Sequence, residues 1–200
     1  MSISVGIFLF DGVELLDLAG PYEVFTVASR VCELAGPAPP EPFETFTVSQ
    51  APGTVRTHAG LLIAADHTFA DHPAIDVLVV PGGVVDGARA DPAVLHWIGA
   101  VAAASRLTAS VCTGAFLLAD AGLLEGHAAT THWMDVDDLK AHPGLRVVED
   151  VRWVDDGPVV TAAGISAGID MSLHLVERLA GRELALETAR YMEYDWAELP

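Results

Sequence analysis

Basic residues are scarce. Ten Lys and Arg stand against 28 Asp and Glu in 200 residues, leaving a formal charge of -18, and the only lysine is Lys140. A field of that sign repels phosphate backbones and anionic headgroups, which excludes nucleic acid and acidic membrane surfaces as partners. Cysteine is almost as rare. Cys32 and Cys112 allow at most one disulfide, and no CxxC spacing is present. The eight histidines never fall into HxxxH or HExxH spacing, so a zinc site is not expected. No GxGxxG or Walker pattern cradles a phosphate, and no cofactor is implied. The opening MSISVGIFLFDG lacks a basic segment and a cleavage site. The alanine-rich stretch from Ala93 to Leu124 carries His96, Arg106 and Asp120, so no membrane span is expected. These absences predict a cytoplasmic protein with free thiols.

Apolar residues make up 52% of the chain, enough for a sizeable core, and the length fits one domain over residues 1–200. Continuous apolar runs at Ser4–Phe10, Ile75–Val80 and Leu107–Val111 read as strands buried on both faces. Further strands are expected at Phe43–Ser49, Gly60–Ile63 and Ala128–Thr131, with a hairpin near Thr54–His58. Val147–Val154 and Val159–Ala162 read as a second hairpin around Asp155-Asp156-Gly157-Pro158. Helices are expected from Pro21, with proline at the first position, and from Pro92 to Ala104 behind an Asp91 cap. Others are expected over Thr113–Ala121, from about Trp133 to Ala141, from a Ser166 cap to Leu179, and over Glu183–Tyr194. Gly36–Pro40 reads as a surface loop. The alternation predicts an α/β sandwich, a largely parallel sheet with helices on both faces, of flavodoxin-like type.

Ligands of such sheets bind beyond the carboxyl ends of the strands, where three segments converge. Cys112 follows a buried strand directly and precedes Thr113-Gly114-Ala115, the setting of a sharp strand-to-helix turn that lifts a nucleophile. The following helix N-terminus is expected to favour its thiolate, although a buried cysteine that only fills core has the same local sequence. Cys32, mid-helix, is expected to pack in the core and to be inert. Gly82 and Gly83 after Pro81 let backbone N–H groups approach a substrate, as an oxyanion hole requires. Asp17, flanked by Leu15, Leu16, Leu18 and Ala19, is a candidate acid or base with its pKa raised by burial, or else a helix cap. His132, at a strand end, is expected to be structural.

Asp17-x-x-Gly-Pro, Pro81-Gly82-Gly83, the Cys112 turn and Thr130-Thr131-His132 follow one another in the order of the DJ-1/PfpI superfamily, which this chain resembles over nearly its whole length. The resemblance implies an acidic residue contacting a strained elbow cysteine, here Asp17 and Cys112, and a homodimer. Protease-like and chaperone-like members carry histidine after the cysteine, where this chain has Thr113. Many DJ-1-like members carry glutamate as the acid, where this chain has Asp17. With Gly164-Ile165-Ser166-Ala167-Gly168-Ile169-Asp170, the pattern most resembles isonitrile hydratases and the N-terminal domain of AraC-type regulators, whose DNA-binding half is expected to be absent here. The resemblance implies a hydro-lyase acting on a small isonitrile, with Cys112 as nucleophile, Asp17 as general acid/base and Thr113 as orienting group. Gly82, Gly83 and Thr113 are then expected to bind substrate. Hydration of methylglyoxal, or a non-enzymatic cysteine sensor or ligand-binding module, are the alternatives.

Overall fold

The computed structural model describes residues 2–34 and 42–199; the expected Gly36–Pro40 loop lies outside them. The chain runs β1 (Ile3–Leu9), α1 (Leu15–Leu34), β2 (Phe43–Ser49), β3 (Thr54–Arg56), β4 (Leu62–Ala64), β5 (His67–Thr68) and β6 (Val77–Val80). It continues through α2 (Asp86–Arg89), α3 (Pro92–Ala104), β7 (Leu107–Val111), α4 (Gly114–Asp120) and β8 (Ala128–Ala129). A 3₁₀ turn at Trp133–Asp135 leads into α5 (Val136–Lys140), β9 (Arg146–Val147), β10 (Trp153–Asp156), β11 (Val159–Ala162), α6 (Ala167–Ala180) and α7 (Arg182–Tyr191).

Seven strands form one sheet in the order β10-β11-β7-β6-β1-β2-β5, parallel except for the β10–β11 pair. Helices α1, α6 and α7 pack together on one face, and α2, α3 and α4 on the other. Alternation along β1 feeds both layers. Phe8 meets Trp97 of α3 at 5.5 Å between ring centroids, while Phe25 of α1 meets Phe43 of β2 at 5.0 Å. The expected α/β sandwich is therefore the fold. From β1 the chain first adds β2 and β5 on one side, then returns to add β6 and β7 on the other. The strand order thus reverses beside β1, the position in such sheets where ligand sites are built at the carboxyl ends of the strands.

Several boundaries differ from the sequence reading for local reasons. Helix α1 begins at Leu15, so Pro21 lies inside it. Burial of Asp17 and Leu18 holds that first turn, although proline withdraws the N–H that Asp17's carbonyl would accept. The expected strand Val147–Val154 is broken by Asp150, whose φ is 57°. Its start, β9, pairs with β8 in a separate small sheet, and only β10 joins the hairpin. Asp156 stays in that strand because its carboxylate accepts from the Ala128 N–H at 2.9 Å, which leaves Gly157-Pro158 as the turn. Ser166 precedes α6 but makes no side-chain cap. Asp91 does cap α3, accepting from the Ala93 N–H at 2.8 Å.

Candidate active site

The loops after β1 and β6 are laced together by backbone hydrogen bonds. Glu14 N–H donates to Gly82 C=O at 2.8 Å, and Val84 N–H to Gly12 C=O at 2.9 Å. This lacing fixes the first turn of α1 over the ends of β1 and β6 and brings Asp17 against Gly82. Asp17 is completely buried. Its Oδ2 accepts from the Gly82 N–H at 3.0 Å, while its Oδ1 is buried without any hydrogen-bond partner. Position 82 must be glycine: a Cβ there would stand 2.6 Å from the Thr113 nitrogen and 2.9 Å from Asp17 Oδ2. A Cβ at Gly83 would lie 2.2 Å from the Gly12 carbonyl oxygen.

Cys112 sits at the strand-to-helix turn with φ of 56°, a left-handed conformation that a non-glycine residue keeps only when its surroundings impose it. Two anchors do so. Its N–H donates to the Ala162 carbonyl at 3.1 Å, and its carbonyl accepts from Thr131 Oγ1 at 2.8 Å. Gly114 completes the crowded elbow, since a Cβ there would lie 2.2 Å from the Val80 carbonyl oxygen. Thr113 Oγ1 donates to the Gly83 carbonyl at 2.9 Å and accepts from the Gly83 N–H at 2.8 Å.

The sequence-predicted residues Asp17, Gly82, Gly83, Cys112 and Thr113 thus meet at one point. Two details differ from expectation. The N–H groups of Gly82 and Gly83, expected to face substrate, are donated to Asp17 and Thr113, so these glycines serve chiefly to let three chain segments touch. The Thr113 hydroxyl is bonded to Gly83, and both this hydroxyl and the Thr113 backbone N–H also reach the Cys112 sulfur.

The protonation of Asp17 follows the sequence reading and that of Cys112 departs from it. Burial raises the Asp17 carboxyl to about 7, with the Gly82 N–H pulling it down, Glu14 pushing it up and the Cys112 thiol lowering it slightly. Burial and then the charges of Asp17 and, more weakly, Asp135 push the Cys112 thiol up to about 12, against the lowering by the Thr113 N–H and hydroxyl. The helix terminus was expected to yield a thiolate; desolvation and a carboxylate neighbour outweigh it. Cys32 differs too. It lies half-buried on α1 rather than in the core, and burial raises its thiol modestly. His132, expected to be structural, accepts at Nδ1 from the Met134 N–H at 3.3 Å, lies 3.4 Å from Asp135 and lines the cleft beside the elbow.

Thr131 had no role in the sequence reading beyond its place in Thr130-Thr131-His132, because nothing local reveals that it grips a carbonyl 19 residues earlier. Beside the elbow, Thr131 and Ala163 open onto a cleft of about 600 Å³ that also carries Trp133, Arg152, Ile165 and Ser166. Among the described residues no cluster of His, Cys, Asp and Glu is arranged to hold a metal, and no helix is long and apolar enough to cross a membrane.

Comparison with known proteins agrees with this architecture. The chain is 37% identical over 195 residues to isonitrile hydratase of Pseudomonas putida, covering 97% of this chain and 79% of that protein. It is 32% identical to the transcriptional regulator GbdR of Pseudomonas aeruginosa over 96% of this chain, which spans about half (51%) of the regulator's length. Among solved structures, a ThiJ/PfpI family protein from Pseudomonas syringae superposes with a TM-score of 0.86 at 30% identity, covering 98% of this chain and 76% of that one. Drosophila melanogaster DJ-1beta shares the fold, with a TM-score of 0.82 at 22% identity over 98% of this chain and 100% of that one. Residues 3–178 match the DJ-1/PfpI family, and with a strained elbow cysteine beside a buried acid, the chain belongs to that family.

Proposed function

We propose that the protein is a cofactor-free isonitrile hydratase, converting an isonitrile and water to an N-substituted formamide. The observation that carries this reading is the unpartnered, buried Oδ1 of Asp17 beside Cys112. A buried carboxylate oxygen without a donor is costly unless a proton or a reacting group visits it. With Asp17 near 7 and the thiol near 12, the resting pair at neutral pH is a neutral thiol beside a carboxylate that readily takes up a proton.

The reaction follows from that pair. As Cys112 Sγ bonds to the terminal carbon, one N≡C π pair retreats to nitrogen and the thiol proton passes to Asp17. Asp17 returns that proton to the carbon lone pair, giving the thioimidate R–N=CH–S–Cys112. Asp17, again a carboxylate, takes a proton from water as its oxygen adds to the same carbon, and that proton goes on to nitrogen. The tetrahedral adduct then collapses: its hydroxyl proton moves through Asp17 to the departing sulfur, releasing R–NH–CHO and the free thiol. The Thr113 N–H, directed at sulfur, stabilises the charge that builds there in both halves. Thr113 Oγ1 holds the Gly83 turn in place.

A carboxylate beside the thiol, in place to take up and return its proton, supports turnover over sensing. Relatedness to an isonitrile hydratase at 37% identity supports the same reading over methylglyoxal hydration. The test is formamide production from phenyl isonitrile by the wild type and by Cys112→Ala, with methylglyoxal in parallel. Turnover of the isonitrile that disappears in Cys112→Ala is expected. No isonitrile turnover by the folded wild type, or undiminished turnover by the variant, would overturn the proposal.

A further inference from the structure

The cleft beside the elbow has a polar feature that the chemistry at Cys112 does not use. Arg152 extends the β10 edge, and its carbonyl accepts from the Ala163 N–H at 2.9 Å. The Ala163 carbonyl in turn lies 3.2 Å from the Cys112 nitrogen. Arg152 and Cys112 therefore stand two strand spacings apart, about 10 Å between backbones. The Arg152 guanidinium is clamped from behind. Its Nε donates to Asp170 Oδ2 at 2.7 Å, its Nη2 contacts the same oxygen, and Nη2 reaches Ser166 Oγ at 3.3 Å. Asp170 is wholly buried, whereas the Arg152 side chain is 38% exposed and lines the cleft. The Tyr194 hydroxyl also stands within hydrogen-bonding reach of Arg152 and Asp170, and the exposed part of the held guanidinium lines the cleft.

The rest of the cleft defines what that guanidinium meets. Trp133, 77% exposed, Val136 and Ile165 provide apolar walls suited to a flat or cyclic group. The Arg152 charge is already balanced by Asp170. Glu149, paired with Lys140 at 2.6 Å, and Asp150 stand at the rim of a protein carrying -18. An anionic group is repelled there, whereas a neutral acceptor such as a carbonyl is not. Cys112 does not itself line the cleft, whose residues next to it are Thr131 and Ala163. A terminal isonitrile group is a thin linear rod, the shape needed to pass them to a recessed thiol while the substituent on its nitrogen stays in the cleft.

We infer that Arg152 is a specificity-determining residue, and that the preferred substrates are isonitriles whose N-substituent is a ring carrying a neutral hydrogen-bond acceptor at its far end. This rests on the hydratase reading above. Asp170 and Ser166 act by positioning the guanidinium, and Arg152 itself takes no part in bond making.

The test compares 4-acetylphenyl, 4-ethylphenyl and 4-carboxyphenyl isonitriles on the wild type and on Arg152→Lys, which keeps the charge opposite Asp170 but loses the planar fork. The wild type is expected to favour acetyl over ethyl about tenfold in kcat/KM, mostly through KM, the worth of one good hydrogen bond to a charged donor. Carboxyphenyl is expected to be the poorest, and Arg152→Lys to narrow the acetyl preference to about twofold. An acetyl preference below twofold in the wild type, or one undiminished in Arg152→Lys, would overturn the inference while leaving hydratase activity standing. Because electron withdrawal by acetyl also alters reactivity, dissociation constants of the matching formamides are measured on Cys112→Ala. The same tenfold order is expected there, and equal binding overturns the inference even if no isonitrile is turned over. Should Arg152→Lys fail to fold, the formamide series on Cys112→Ala decides alone.

Discussion

Asp17 and Asp170 are both fully buried, yet their surroundings are opposite. Asp170 is saturated: Arg152 occupies Oδ2, and the Ala197 N–H donates to Oδ1 at 3.0 Å. It ties α6 to β10 and to the chain beyond α7. Asp17 has one N–H on Oδ2, nothing on Oδ1 and no cation. A buried carboxylate with a cation and a full set of donors keeps its charge and serves architecture. One with half its acceptors empty is an unstable arrangement retained beside a thiol, which marks it for proton transfer. Burial alone does not distinguish the two; the partners do.

The largest expected effect tests that difference through stability and pH. Asp17 holds its proton in the folded protein up to about 7, but releases it near 3.8 when unfolded. Between those values the folded state binds more protons, so the stability Asp17 contributes is full below about 4 and is lost as pH rises through 7. The complete shift corresponds to about 4 kcal/mol. Asp17→Asn cannot ionise and keeps an oxygen for the Gly82 N–H, so it should gain on the wild type progressively from pH 4 to 8 in urea melts. Parallel stability curves would show that Asp17 is not a desolvated acid.

Next in size is turnover. Asp17→Asn should lose at least on the order of 10²-fold in kcat, as expected when general acid–base chemistry is removed. Asp17→Glu should retain part of the rate. Because Asp17 acts from its carboxylate form, wild-type kcat/KM should rise with pH through about 7. Asp170→Asn should reverse the pattern: about 2 kcal/mol less stable, from weakening of a charged hydrogen bond, with phenyl isonitrile turnover within a few-fold of normal. If both substitutions impaired turnover equally, the division between structural and reactive aspartate would collapse.

The sequence made this comparison only half visible. Buried strands were legible because four or five consecutive apolar residues have few other uses, and Leu107–Val111 and the capped helix Pro92–Ala104 fell where expected. Cys112 and the two glycines were legible because they lie at strand ends on one edge of the sheet, whereas Asp17, in the first turn of α1, was singled out by the family resemblance. The thiol's protonation was not, since a helix terminus reads locally whereas desolvation depends on what the whole fold places above it. Nor was the saturation of Asp170, whose partners Arg152 and Ala197 lie 18 and 27 residues away. The break at Asp150 escaped for a similar reason: a left-handed residue in an otherwise extended stretch leaves no periodicity to detect.

The smallest effect isolates the charge that Asp17 exerts on its neighbour. Above pH 7 the Asp17 carboxylate raises the Cys112 thiol, whereas Cys32 on the far part of α1 is raised by burial alone. Removing the charge with Asp17→Asn lowers the Cys112 pKa and leaves Cys32 as an internal standard. For each unit of lowering, the thiolate fraction rises tenfold while its intrinsic nucleophilicity falls about threefold, a net gain of about threefold. A small methanethiosulfonate reagent at pH 8.5, with the two peptides quantified by mass spectrometry, should therefore modify Cys112 faster relative to Cys32 in Asp17→Asn than in the wild type, by about threefold for each unit that the Cys112 thiol is lowered. Asp170→Asn should leave the ratio unchanged, because its carboxylate is neutralised by Arg152 in the wild type as well. In the wild type Cys32 should react first, since Cys112 is only 7% exposed and its thiol is pushed up to about 12. A Cys112 rate indifferent to Asp17→Asn would mean that the two groups do not share a field, and that the proton of the proposed reaction travels by some other residue.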